Sequence, residues 1–152
     1  MPGFDPEALQ SVETECPGFQ ARATARALTR YYNAKFKPLG LTAEQFSLLV
    51  GIGATKEVTL VELADRAGVD PTTLSRNVQH LERRDLVHAE GGRGPSGKRL
   101  TLTTSGRRLV SDAFPVWQSA KAELVLRMGN AKLRAATQAM AQLGKAADLL
   151  LS

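Results

Sequence analysis

Apolar and polar positions along this chain follow two periods, and the change from one to the other divides it. Good helix formers run from Pro17 to Phe36 until Pro38 and Gly40 stop them, so a helix is expected there, with Pro17 in its first turn. Thr42 and Gln45 have the spacing of a capping box ahead of Phe46, Leu48, Leu49 and Val50, a second helix that Gly51 and Gly53 should end. Thr59 and Glu62 repeat the arrangement for a short helix, Leu60 to Ala67, closed by Gly68. Asp70 caps a fourth helix that opens on Pro71 and reaches about Arg84.

After Leu86 the period falls to two. Residues 87–90 and 99–102 alternate on either side of GGRGPSGK, which reads as a two-stranded hairpin with a long basic tip. Thr103 or Thr104 then caps a long helix to about Met128, with Pro115 inside it, and Asn130 caps the last helix. In that last helix Leu133, Ala136, Met140, Leu143, Ala147 and Leu150 are three and four residues apart in turn, the spacing of a coiled-coil seam. Residues 1–16 carry Asp5, Glu7, Glu13 and Glu15, no base, and prolines at 2 and 6, and read as an acidic flexible tail.

Two helices joined at Gly68 and followed at once by a hairpin make a winged helix-turn-helix. The expected fold is mainly α with a small β-hairpin: a winged helix-turn-helix lobe plus a helical dimerisation region. On the fourth helix Leu74, Val78 and Leu81 lie within about 60° of one another and must face a core. Thr72, Arg76, Gln79 and Arg83 lie opposite, flanked by Thr73, Ser75 and His80. Such a face serves equally as solvated surface. It is also what a major groove needs, because arginine grips guanine through two acceptors while threonine and serine reach phosphates or a thymine methyl. The basic hairpin that follows favours double-stranded DNA.

Composition narrows the alternatives. With 43% hydrophobic and 23% charged residues in 152, the chain is one ordinary globular domain, and it lacks the apolar run of a membrane span or an export signal. A cytoplasmic protein is expected. The net charge of +5 is distributed as 0 over residues 1–57, +3 over 58–110 and +2 over 111–152, so the basic excess is centred on the hairpin region. Cys16 is the single cysteine, which rules out an intrachain disulfide and a cysteine-built metal site. His80 and His88 read as surface and strand residues, so neither metal nor cofactor is expected. No G-x-S-x-G, phosphate-binding glycine loop or H-E-x-x-H occurs, which argues against an enzyme.

LTAEQFSLL, then LVELADRAGVDPTTLSRNVQHLERRDLV, the hairpin, and LTLTTSG ahead of a helix together resemble the MarR family of bacterial transcriptional regulators. The resemblance spans residues 17–152, with a DNA-binding lobe at 42–103 and dimerisation helices at 17–37 and 104–152. It implies a homodimer, a winged helix-turn-helix in each subunit, and repression relieved by a small ligand or by oxidation. Where most members carry an aspartate and an arginine in the wing, this chain has Gly94 and Ser96, leaving Arg93, Lys98 and Arg99 as the wing cations. The expected DNA contacts are therefore Thr72, Thr73, Ser75, Arg76, Gln79, Arg93, Lys98 and Arg99. The seam residues Leu133 to Leu150 are the expected dimer interface.

Arg22, Arg26 and Arg30 recur every four residues near Tyr31 and Tyr32, as a solvated stripe would. The resemblance implies an effector cleft that often takes aromatic carboxylates, for which Arg26, Tyr32, Phe46 and Trp117 are candidates. Cys16 precedes a helix N-terminus, a place that favours thiolate, although Glu13 and Glu15 oppose it. Tyr31 and Tyr32 are more than about 20 Å farther along that helix at ~1.5 Å per residue. Cys16 thus stands as either a redox sensor or a plain terminal cysteine. A winged helix that binds protein rather than DNA is the remaining alternative.

Overall fold

The computed structural model describes residues 3–94 and 97–152. Among these, the elements in order are α1 (Pro6–Glu15), α2 (Pro17–Phe36), a 3-10 turn (Lys37–Leu39), α3 (Ala43–Gly53), β1 (Val58–Thr59), α4 (Leu60–Ala67), α5 (Pro71–Arg83), β2 (Val87–Glu90), β3 (Arg99–Leu102), α6 (Thr104–Met128) and α7 (Asn130–Leu151). They fall into two compact units, one of Tyr32–Gln118 and one made of the residues up to Tyr31 together with those from Ser119 onward. The chain is mainly helical with a small sheet, as the periodicity predicts.

The Tyr32–Gln118 unit is organised by one apolar core in which Phe36, Leu49, Ile52, Leu74, Val78, Leu81 and Leu100 are all but inaccessible to solvent. Local signals deliver these residues. Thr42 and Thr59 each accept the backbone N–H three residues on while Gln45 and Glu62 reach back, so α3 and α4 begin on full capping boxes. The sheet has the order β1-β3-β2, all antiparallel, with Leu100 paired to Val58 on one side and Ala89 on the other. β1 is a strand the alternation does not predict, since two residues are too short to show a period. Gly51 does not end α3 but lies inside it. A Cβ there would come within 2.7 Å of Leu63 Cδ1, so the glycine serves close approach of α4.

The joint between α5 and α6 is held by a compact latch. Asp85 takes the left-handed conformation at φ 56, and its carbonyl accepts the Thr103 hydroxyl at 2.6 Å. The same hydroxyl oxygen accepts the Gly106 N–H at 2.9 Å, and the Thr103 N–H reaches the Leu86 carbonyl at 3.1 Å. Thr103, not Thr104, therefore caps α6. Gly106 is obligatory in this geometry, because the Leu86 carbonyl oxygen occupies the place a Cβ would take.

In the other unit, the Tyr31 hydroxyl lies 2.9 Å from the Ala120 carbonyl and 2.7 Å from Glu123 Oε2. α1 replaces the expected flexible tail. Asp5 accepts the N–H groups of Glu7 and Ala8, and Pro6 sits at the first helical position, where it starts a helix rather than breaking one. α7 begins at Asn130, but its cap is Gly129 at φ 83 with no side-chain hydrogen bond, so Asn130 does not cap it. Along the expected seam Leu133 and Ala136 are half-buried, whereas Met140, Leu143, Ala147 and Leu150 are exposed. Met140, Leu143 and Ala147 face a groove of about 450 Å³ whose other wall is Pro17, Gly18, Ala21, Thr24, Ala25 and Leu28 of α2.

Substitution of Gly106 by alanine should cost about 1 to 3 kcal/mol, the range for forcing a methyl into packed structure. Urea unfolding followed by circular dichroism measures it; an unchanged midpoint would show that the latch yields freely.

Candidate nucleic-acid interface

The helix-turn-helix is assembled by three short signals. α4 ends where Gly68 turns left-handed at φ 65, its N–H bonding back to the carbonyls of Ala64 and Asp65. Asp70 caps α5 and Pro71 opens it. Burial of Leu74, Val78 and Leu81 at 0%, 2% and 0% exposure then fixes the rotation of α5 about its axis. The consequence is that Thr72, Thr73, Arg76, Gln79, His80 and Arg83 are exposed and Ser75 is half-buried.

The predicted DNA residues are not equivalent in the structure. Arg76, Gln79 and Arg83 have no hydrogen-bond or ion-pair partner among the described residues, so their donors are available. Thr73 is already committed, its N–H and hydroxyl lying 3.0 Å and 3.2 Å from Asp70 Oδ2. At the wing, Gly91, Gly92 and Gly94 have φ of 72, 71 and 67, and a Cβ on Gly92 would run into the Gly97 carbonyl. Arg93 is exposed and Lys98 half-buried, while Ser96 lies outside the described residues. Arg99 stands apart: its Nε is 2.9 Å from Glu57 Oε1, and its guanidinium passes beside Gly91. It ties the hairpin to the segment before β1. His88, on β2, meets Glu90 at 3.2 Å.

Sequence reasoning missed the groups that support α5 from behind. Asn77 donates to Glu44 Oε1 at 2.9 Å and Arg84 to Gln45 Oε1 at 3.3 Å, both joining α5 to the start of α3. These pairs are 33 and 39 residues apart, and no local spacing announces them.

The effector and redox candidates differ in their surroundings. Arg26 is exposed on α2 in the unit that also holds α7. Phe46 is a core residue, its ring 4.4 Å from that of Phe36, and Tyr32 stacks on Phe36 at 6.0 Å. Burial raises the Tyr32 hydroxyl pKa above its ordinary value. Trp117 is half-buried against the core and stacks on Phe114 at 5.5 Å. Cys16 is half-buried at the joint of α1 and α2, its N–H bonded to Val12 and its carbonyl to Gln20. Among the described residues, no three His, Cys, Asp or Glu side chains are grouped as a metal would require, and no helix is long and apolar enough to cross a membrane.

The winged helix-turn-helix exposes a helix face whose arginines and glutamine have donors to spare, as a DNA-binding module requires, and likeness to known proteins defines its class as transcriptional regulators. The sequence profile of the MarR family matches residues 39–99. The transcriptional regulator MosR of M. tuberculosis in complex with DNA superposes with a TM-score of 0.79 at 36% identity, over 90% of this chain and 98% of that one. A MarR variant from E. coli complexed with operator DNA gives 0.74 at 23% identity, over 88% and 96%. The S. aureus MepR–DNA complex gives 0.71 at 18%, over 86% and 97%. No curated protein matches the chain. The chain belongs to the MarR family, and is a DNA-binding transcriptional regulator rather than an enzyme.

Replacing Arg76 by alanine should cost ~1 to 3 kcal/mol on the preferred site and blur base preference at one position per half-site. Replacing Arg93 should weaken all sequences by a similar factor and lower the slope of log K against log salt by about one for each phosphate that this arginine neutralises. Binding-site selection and salt titration of both variants check this. Unchanged preference for the Arg76 variant, with preference at one base abolished in the Arg93 variant, would reverse the two roles.

Proposed function

We propose that this regulator is a repressor, that it binds an inverted-repeat operator as a homodimer, and that a small aromatic acid releases it. The observation that carries the DNA reading is the exposed face of α5, with Arg76, Gln79 and Arg83 unengaged among the described residues while its opposite face is fully buried. The DNA complexes of MosR and of the E. coli MarR variant support it. Two-fold symmetry in the protein calls for half-sites about one helical turn, ~10 base pairs, apart.

The homodimer reading is supported by apolar surface in the unit that holds α7. Leu126, Leu149, Leu150 and Leu151 are 86%, 65%, 87% and 87% exposed, and burying each is worth roughly 1.5 to 3 kcal/mol. The expected seam residues Met140, Leu143 and Ala147 are exposed in the same unit. Light scattering at micromolar concentration should give a dimer; a monomer would contradict this.

The effector reading is supported by a cleft of about 390 Å³ between α3, the end of β3 and α6. Val50, Leu102, Val110 and Phe114 make it apolar, and Arg107 stands at its wall. Arg107 spends two of its five N–H groups on the Leu102 carbonyl and the Thr104 hydroxyl, and keeps donors for a carboxylate. Size and lining suit a substituted benzoate. Phe114 lines this cleft and stacks on Trp117, the single tryptophan, so a benzoate should change Trp117 fluorescence saturably and release DNA over the same concentration range. Release by mild peroxide that Cys16→Ser abolishes, with no response to benzoates, would replace the ligand by oxidation.

A further inference from the structure

Beside the apolar cleft lies a second, polar cavity that a simple benzoate would leave unused. It has a volume of about 220 Å³. Its lining includes Thr55 and Lys56 of the loop after α3 and Thr101 of β3, together with Gly53, Leu102 and Arg107, which also line the apolar cleft. The two cavities therefore adjoin. Gly53 brings no side chain to their shared edge, where a Cβ would come within 2.7 Å of Leu102 Cδ1.

The chemistry of the second cavity differs from that of the first. Lys56 and Arg107 bring two positive charges to it, Thr55 and Thr101 bring hydroxyls, and no acidic side chain among the described residues lines either cavity. Lys56, Thr55 and Thr101 are exposed, and among the described residues their side chains have no hydrogen-bond or ion-pair partner. Glu57, the acid next to Lys56 in the chain, is taken up by Arg99, with Oε1 2.9 Å from Nε. Arg107 is held by the Leu102 carbonyl at 2.9 Å and the Thr104 hydroxyl at 3.2 Å, so its remaining donors are already oriented. Two cations at one small cavity, with no acid to balance them, favour an anion, and the two hydroxyls supply further donors for its oxygens.

We propose that the effector is an aromatic dianion. Its ring lies in the apolar cleft against Val50, Val110 and Phe114, one carboxylate meets Arg107, and a second acidic group enters the polar cavity between Lys56 and the hydroxyls of Thr55 and Thr101. This rests on the aromatic-acid reading of the effector and narrows it from benzoates in general to those that carry a second acid. The second acid then sits at the root of the wing, because Glu57 follows Lys56 and is paired with Arg99, two residues before Thr101 on β3.

Titration of the full chain, followed by Trp117 fluorescence, tests this with benzoate, the ortho, meta and para benzenedicarboxylates, and the matching carbamoylbenzoates, which keep the shape and lose one charge. At least one dicarboxylate should bind about tenfold or more tighter than benzoate, as a hydrogen-bonded charge pair would give, and its carbamoyl counterpart should lose that advantage. Lys56→Gln should cancel the advantage of the dicarboxylate over benzoate, and Lys56→Arg should restore most of it. Dicarboxylates that bind no tighter than benzoate, a carbamoylbenzoate as tight as its diacid, or an advantage that Lys56→Gln leaves intact would each overturn the proposal while the benzoate reading stands. Should no aromatic acid bind the wild-type protein, the effector reading fails and the dianion with it.

Discussion

Burial of Leu74, Val78 and Leu81 is the constraint on which the working surface depends. A helix cannot rotate about its axis once one face is locked into a core, so hiding these three side chains leaves Arg76 and Gln79 no choice of direction. The energy that orients the exposed arginine of α5 is thus supplied by residues buried in the core. Asn77 and Arg84 add side-chain bonds from the margins of α5 to Glu44 and Gln45 at the head of α3, and so brace the helix against the element it packs upon.

A second set of interactions places the wing relative to α5. The Thr103 hydroxyl and the tight fit of Gly106 against Leu86 join the strand that leaves the wing to the turn that leaves α5. On the far side, Arg99 is held by Glu57 across the sheet. The wing therefore emerges from a base fixed at two edges, while its tip retains three left-handed glycines and the exposed Arg93. An exposed ion pair such as Glu57–Arg99 contributes little to stability, but it does direct one arginine to the protein and leave another for a partner.

Much of this was legible in the sequence where a local rule governs it. Capping boxes at Thr42 and Thr59, the Gly68 stop, the Asp70–Pro71 start and the limits of β2 and β3 all depend on residues within a few positions of one another, and the structure has them where the spacing predicts. The two-residue β1 shows no period and owes its place to pairing with β3, some 40 residues away, beyond any local rule. Pro6 reads as a breaker until Asp5 is seen to cap the helix it opens. Gly51 lies inside the helix it was expected to end, and Gly129 takes the capping place expected of Asn130, because a glycine in a helix can mean close packing and a positive φ can cap without a side chain. Among the candidate site residues, spacing identified the outward face of α5 but could not show that Thr73 and Arg99 are engaged inside the protein, nor that Phe46 is core.

The central claim is that α5 reads bases through the major groove while the wing grips the backbone or the minor groove. Dimethyl sulfate interference on the bound DNA tests this directly, since the reagent methylates guanine N7 in the major groove and adenine N3 in the minor groove. The expected result is that methylation of one guanine N7 per half-site blocks binding of the wild-type protein and has no added effect on the Arg76→Ala variant. Interference confined to adenine N3, identical in the two proteins, would contradict the account and assign sequence reading to the wing.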